Sequence, residues 1–343
     1  TTGPLRFTVS KQRFTLFESA AVDSNGSGTF EDTEQLAGGG DLVVKHRNTE
    51  FRSSRDTQSY TLTVEESGPL RATLKASGWF RDERGKGFCQ FIVRIQAFAG
   101  VPQVRLYHTL VYTGYPANRI HHEYEGIPVP ENETIQAISL ELPMAMGPGS
   151  QVMTADEQGL VTTPLDAPVS ISQYAYDGYH LIKGNTPART GARNEGWVLV
   201  QDQAGGVMAV VRDAWQQFPK ELAVDPKAGH LIIKLWPESA GELSLETGPE
   251  AYGPDAVARG SAFGLAKTHE LVIGFMGARI DPQTARQLAA LWREPWLLSA
   301  DPDWLLATDV WGSIAPVSSG QLTPTPVGQV GGVTDAEEMM ENL

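Results

Sequence analysis

Short runs in which apolar and polar residues alternate fill most of the chain up to about residue 278. Successive side chains of an extended backbone point to opposite faces, so such runs predict half-buried strands. Residues 5–9 and 13–17 alternate and precede Asp23-Ser24-Asn25-Gly26, a turn signal. Further strands are predicted at 42–46 and 60–65, and where Leu70, Ala72, Leu74 and Ala76 alternate with Arg71, Thr73, Lys75 and Ser77. Runs at 88–98 and 104–112 flank Ala99-Gly100-Val101-Pro102 and predict neighbouring antiparallel strands. A strand at 135–142 follows the polar stretch 118–134.

After a loop reaching to about Pro168, strands are predicted again at 197–201, 207–211, 231–236, 243–247 and 265–275. The first two are joined by Asp202-Gln203-Ala204-Gly205-Gly206. The period then changes. Asp281-Pro282 is a helix-start signature, and Ala285, Leu288, Ala289 and Trp292 recur at helical spacing until Pro295. Residues 303–309 predict one more helical turn, and beyond Ser313 the chain is poor in core residues, as in a linker or disordered tail. The expected class is mostly β: a domain over 1–145, an antiparallel β-sandwich over 146–278, a helical segment over 279–312 and a tail over 313–343. The 35 glycines and 22 prolines fit a turn-rich β chain.

The stretch ARGSAFGLAKTHELVIGF, residues 258–275, carries the sharpest local signal. Alternation puts Lys267 and His269 on one face with Leu271 and Ile273, and Thr268 and Glu270 on the other with Val272. Charge at the start of a buried strand costs free energy unless it is paired, so the cluster predicts either a polar seam between domains or a wall of a binding site.

Composition narrows the function classes. A formal charge of −14 argues against nucleic acid as partner, which needs a basic face, while leaving room for a local basic cleft. No apolar run reaches the length of a membrane-spanning helix. The one cysteine, Cys89, alternates with Phe91, Val93 and Ile95 and reads as a small buried residue. There is no G-x-S-x-G elbow and no phosphate loop, and Gly38-Gly39-Gly40 lacks the strand–helix context of a dinucleotide site. Asn25-Gly26-Ser27 and Asn132-Glu133-Thr134 match the glycosylation sequon. No cofactor and no metal site is expected.

Several clusters are candidates for chemistry. His121-His122-Glu123-Tyr124-Glu125 reads as substrate contact in a loop or as a solvated loop, and its spacing matches no zinc motif. His108, between Leu106 and Leu110, reads as a satisfied core histidine. Tyr174, Tyr176, Tyr179 and His180 could stack on sugars or pack a sheet edge. Trp215 and Trp236 sit at predicted strand ends, as sugar platforms or as core. Arg259, Lys267 and His269 suit recognition of a carboxylate, or an ion network with Glu270 or Asp255.

TGPLRFTVSKQRFTLF, RIQAFAGVPQVRLYHTLVYTG, IHHEYEGIPVP, VVRDAWQQFPKEL and ARGSAFGLAKTHELVIGF together resemble the exo-rhamnogalacturonan-lyase and YetA-like group, which includes polysaccharide lyase family 26. The resemblance spans about residues 1–312. It implies an N-terminal RIFT-barrel-like β domain, here lacking its first part, then a central β-sandwich, then an α/α toroid of which only the beginning, 281–311, is present. It implies β-elimination on a uronic-acid-containing polysaccharide such as rhamnogalacturonan, by a secreted or periplasmic protein. The alternative is a non-catalytic carbohydrate-binding or structural module whose α/α partner domain is missing. β-Elimination needs a cation on the uronate carboxylate, a base for the C5 proton and an acid for the leaving oxygen. Arg259, Lys267, His269, His121, His122 and Tyr124 are of the right types, with Tyr176, Tyr179 and Trp215 as candidate sugar contacts.

Overall fold

The computed structural model describes residues 1–113, 120–124, 127–130, 133–245, 262–294, 300–308 and 310; for 120–124, 127–130, 302, 303 and 306 it describes the backbone alone. Alternation becomes two layers of antiparallel sheet. The first layer runs, in spatial order, through Thr61–Ser67, Arg71–Arg81, Gly87–Phe98, Gln103–Val111, Ala266–Met276, Gly206–Val211, Trp197–Gln201, Gln151–Asp156 and Gly159–Pro164. The second runs through Thr49–Arg52, Asp41–His46, Ala137–Pro143, His230–Trp236, Lys220–Asp225, Val169–Ala175, Gly178–Lys183 and Thr186–Gly191. One pairing, Arg52 opposite Arg81, joins the layers at an edge.

The inward faces form one core. Val93, Leu106, Val207 and Ile273 of the first layer belong to the same buried cluster as Leu42, Leu140, Ile171 and Ile233 of the second. Each fully buried aliphatic side chain contributes roughly 1.5–3 kcal/mol. The mostly β class expected from the alternation is what the chain adopts. Hydrogen bonding is continuous across residue 145: Asp41–His46 and His230–Trp236 both pair with Ala137–Pro143, and Gln103–Val111 pairs with Ala266–Met276. The chain divides by compactness into units Thr1–Glu294 and Pro295–Leu343. The second unit carries the short helix α2, Pro302–Thr308, with Trp304 exposed.

Helix α1, Pro282–Arg293, begins where the Asp-Pro signature places it. Asp281 Oδ1 accepts hydrogen bonds from the backbone N–H of Gln283 and Thr284, both at 3.0 Å. Ala285, Ala289 and Trp292 pack against Trp197, Met208, Val210 and Val272 on the outer face of the first layer. The strand Ala266–Met276 is therefore buried on both faces from Leu271 onward, which explains its unbroken apolar run. Gly274 lies beneath the Trp292 ring, where a Cβ would collide with it. Asp281→Ala removes the cap and should cost about 1 kcal/mol, read as a lower urea midpoint at constant m-value.

Four sequence expectations need correction. Residues 13–17 are not a strand: Leu16 adopts φ 58°, which breaks the alternation, and Phe14, Leu16 and Phe17 are buried from an irregular segment. Of 243–247, Leu243 makes only an isolated bridge to Ile135, and 246–247 lie outside the described residues. The segment read as a loop to Pro168 contains the hairpin Gln151–Asp156 and Gly159–Pro164. Val169–Ala175, Gly178–Lys183, Thr186–Gly191 and Lys220–Asp225 were not expected as strands, because Thr, Ser, Gly and charged residues dilute their alternation.

Candidate functional site

One end of the sandwich is open between the layers. Gln103–Val111 ends there and Ala266–Met276 begins there; from the second layer Ala137–Pro143 and Lys220–Asp225 begin there and His230–Trp236 ends. These ends enclose a cavity of about 330 Å³, within the size range of small-molecule sites. Leu110, Ile138, Leu235, Leu243 and Leu245 give it apolar walls, with Trp236 alongside. Phe218, Leu265 and Lys267, all exposed, form its rim.

The polar lining comes from His108, Gln217, Lys220, Lys267 and His269. His108 and His269 are directly opposite in the antiparallel register, and Lys267 is opposite Leu110. Cα atoms so paired lie about 4.5–5.5 Å apart. Both histidines are buried, and so is Lys220 at 6 % exposure. Neither ring nitrogen of His108 has a hydrogen-bond partner, nor does His269 Nδ1 or Gln217 Oε1. Orphaned buried polar atoms are rare, and several of them in one cavity mark a place where a polar molecule belongs.

Burial strips water from the histidines and Lys220 and disfavours their charged forms. It lowers His108 to about 4. Burial, then the charges of Lys220, His108 and Lys267, lower His269 to about 2. Burial, then the Lys267 ammonium, lower Lys220 to about 7. Lys220 Nζ donates to the Gln217 carbonyl and, at 3.0 Å, to the Pro219 carbonyl. Among the described residues no carboxylate lines the cavity and none pairs with Lys267. Glu270, the partner that alternation made available, faces the other way and binds Arg212 at 2.6 Å and Arg105 at 3.1 Å. The polar seam is thus Glu270 with its arginines, and the cavity wall is Lys267 with His269.

The other predicted site residues lie elsewhere. Tyr179 is fully buried, and its hydroxyl is pushed up by burial and by the Asp156 carboxylate, so it has no face for a sugar. Tyr176 is exposed just before Gly178–Lys183, and Tyr174 stacks on His180 at 5.4 Å. Trp215 carries the Arg193 guanidinium over one ring face at 4.0 Å. His121, His122 and Tyr124 fall on the backbone-only strand Ile120–Tyr124, paired with Ile127–Pro130. Arg259, with Asp255, lies outside the described residues. His108 is buried as expected but is not satisfied. Cys89 is buried, and its thiol is pushed up to about 12. Sequence reasoning missed Lys220 and Gln217; in QQFPKELAVD nothing local distinguishes them.

A larger cavity, about 730 Å³, lies beside the Arg47-Asn48 turn. Its ionisable groups are largely engaged: Arg47 with Glu133 at 2.8 Å, Arg55 with Glu83 at 3.4 Å, and His46 Nδ1 with the Thr134 carbonyl at 2.7 Å. Among the described residues no group of three or more His, Cys, Asp or Glu could hold a metal ion. No described helix is long and apolar enough to cross a membrane.

Residues 1–121 match the family model described as the PcRGLX-like protein central beta sandwich domain. The match covers the N-terminal third of the chain. It bears out the resemblance to the rhamnogalacturonan-lyase-like group, but the domain it describes is the central β-sandwich, over residues for which the resemblance implied a RIFT-barrel-like domain. The matched segment supplies His108 and Leu110 to the cavity. Comparison with curated proteins gives no match. Among solved structures, a galactose mutarotase related enzyme from Lactobacillus acidophilus is similar at 8% identity and TM-score 0.39, covering 82% of this chain and 98% of its own. A galactose mutarotase-like protein from Lactobacillus casei is similar at 10% identity and TM-score 0.42, with 80% and 98% covered. The α-N-acetylgalactosaminidase NagBb from Bifidobacterium bifidum, in complex with GalNAc, is similar at 12% identity and TM-score 0.44, with 85% and 38% covered. Likeness at this level carries no argument about activity.

Proposed function

We propose that the cavity between the sheet layers binds a uronate unit of an acidic polysaccharide and supports its cleavage by β-elimination. The observation that carries this is the gathering of cationic and neutral nitrogen groups, four orphaned polar atoms among them, in a cavity without a described carboxylate. Paired carboxylates, which glycoside hydrolysis needs, are missing from its described lining. An anionic sugar relieves the repulsion between Lys267 and Lys220.

The roles follow from exposure and basicity. Lys267 at the rim pairs with the uronate carboxylate and so makes the C5 proton more acidic. Lys220, titrating near 7, is a base matched to neutral pH and takes that proton. The resulting ammonium delivers the proton to the glycosidic oxygen as the C4–O bond breaks. His269 and Gln217 offer hydrogen bonds to sugar hydroxyls, and the Leu and Trp236 walls cover the apolar sugar faces.

The full chain, incubated with rhamnogalacturonan and a panel of other uronate polymers, should release unsaturated uronate ends, seen as new ultraviolet absorbance. Lys267→Met should lower the rate about a hundred-fold, as loss of a charge-stabilising group does. Retention on a polymer without product would reduce the reading to binding alone. Neither product nor retention on any polymer would refute it.

A further inference from the structure

Lys220 has a second chemical capacity, which goes beyond the uronate reading and does not require it. A neutral amine has two N–H bonds and one lone pair. The side chain donates to two backbone carbonyls, those of Gln217 and Pro219. Both N–H bonds of a neutral Lys220 are then used, and the lone pair is the group left over. The amine lines the cavity at the start of Lys220–Asp225, with no described carboxylate on the lining to hold it as an ammonium. The charged and titratable groups facing it are Lys267 and His269 of Ala266–Met276 and His108 of Gln103–Val111. The charge of Lys267 lowers the basicity of Lys220, and burial disfavours charge on both histidines, so none of the three favours protonation of the amine. A lysine desolvated among apolar walls beside a second cation is the arrangement that makes an amine nucleophilic at neutral pH.

We propose that Lys220 is a carbonyl-reactive amine that forms an imine with a small aldehydo or oxo acid entering this cavity. The Nζ lone pair attacks the carbonyl carbon and the C=O π pair moves onto oxygen. A proton passes from nitrogen to that oxygen, giving a carbinolamine. The carbinolamine loses hydroxyl and a second nitrogen-bound proton as water, leaving C=N. Amine and carbonyl compound are consumed, imine and one water are formed, and nothing is oxidised or reduced. Gln217 Oε1, orphaned in the protein alone, accepts from the carbinolamine hydroxyl. Lys267 at the rim holds the acid group.

The test uses the full chain with glyoxylate and sodium cyanoborohydride, which reduces an imine to a stable secondary amine, followed by peptide mapping by mass spectrometry. At pH 7 Lys220 should be alkylated about ten- to a hundred-fold faster than the exposed Lys11 and Lys227. Its rate should level off above about pH 7, while theirs keeps climbing towards the ordinary lysine range. With propanal, which has no acid group, the advantage of Lys220 should shrink; Lys267→Met should make glyoxylate and propanal alike. Labelling of Lys220 no faster than of Lys11 and Lys227 overturns the proposal, and the wild-type chain alone decides this if the variant does not fold. Labelling at Lys220 in a chain that cleaves no uronate polymer upholds the amine chemistry and refutes the lyase reading separately.

Discussion

Replacing Lys220 with methionine should make the protein more stable at pH 7 and abolish uronate cleavage. Methionine fills nearly the same volume and removes the need to keep an amine neutral or bury a charge. Lowering a lysine from 10.5 to about 7 costs roughly 3–5 kcal/mol of folding free energy at pH 7. Against this, the Gln217 and Pro219 carbonyls lose their donor, at about 1–3 kcal/mol if no water replaces it. The transfer term wins, and a net gain of about 2 kcal/mol is expected. The sign of the pH dependence checks the cause. Between pH 7 and 10.5 the unfolded chain binds a proton at this lysine that the folded chain does not, so wild-type stability should rise with pH across that window and its cost vanish above it. The variant should lack this rise. Urea unfolding of both proteins at pH 7, 8.5 and 10 measures it. A variant less stable than wild type at pH 7, or one that retains the slope, would show that Lys220 is held as a comfortable ammonium. A gain in stability with loss of function is the usual mark of a residue kept for chemistry.

The second large effect is acid lability. His108 is lowered to about 4 and His269 to about 2, both from 6.5. As pH falls below 6.5 the unfolded chain gains a proton at each that the folded chain refuses. Stability therefore falls by roughly 1.4 kcal/mol per pH unit for each histidine, until His108 itself protonates near pH 4. Two such groups remove about 5 kcal/mol between pH 6.5 and 4, a large part of an ordinary folding free energy. His46, lowered chiefly by burial, adds to the trend. His108→Leu should remove about half of the cavity's share of the slope, measured by urea midpoints between pH 6.5 and 4.5. An unchanged slope in that variant would mean that His108 is not held neutral. Bound polyuronate should also flatten the slope, because a carboxylate beside the histidines favours their charged forms.

Much of the fold was legible because it rests on a local rule. Where one face of a strand meets the core and the other meets water, alternation is direct, and the strands near 88–98, 104–112, 197–201 and 265–275 were read with ends within about two residues. The helix start at Asp281 was legible for the same reason, since the cap reaches only to Gln283 and Thr284. The strands near 151–191 were not, because several of their positions carry Thr, Ser, Gln or Gly on the inward or edge faces. Residues 13–17 misled in the opposite direction, as apolar spacing held in the core by an irregular backbone.

For the site, the sequence by itself determined that Lys267 and His269 share the core-facing side of one strand. It also determined that Glu270 lies on the other side, where Arg105 and Arg212 meet it. Both follow from the period of two. Only the tertiary structure decided what that core-facing side meets: His108 from the neighbouring strand, and Lys220 and Gln217 from the opposite layer. The physical reason is that basicity and reactivity here come from lost water and from charges brought close through space. Neither quantity is a property of the segment that carries the side chain.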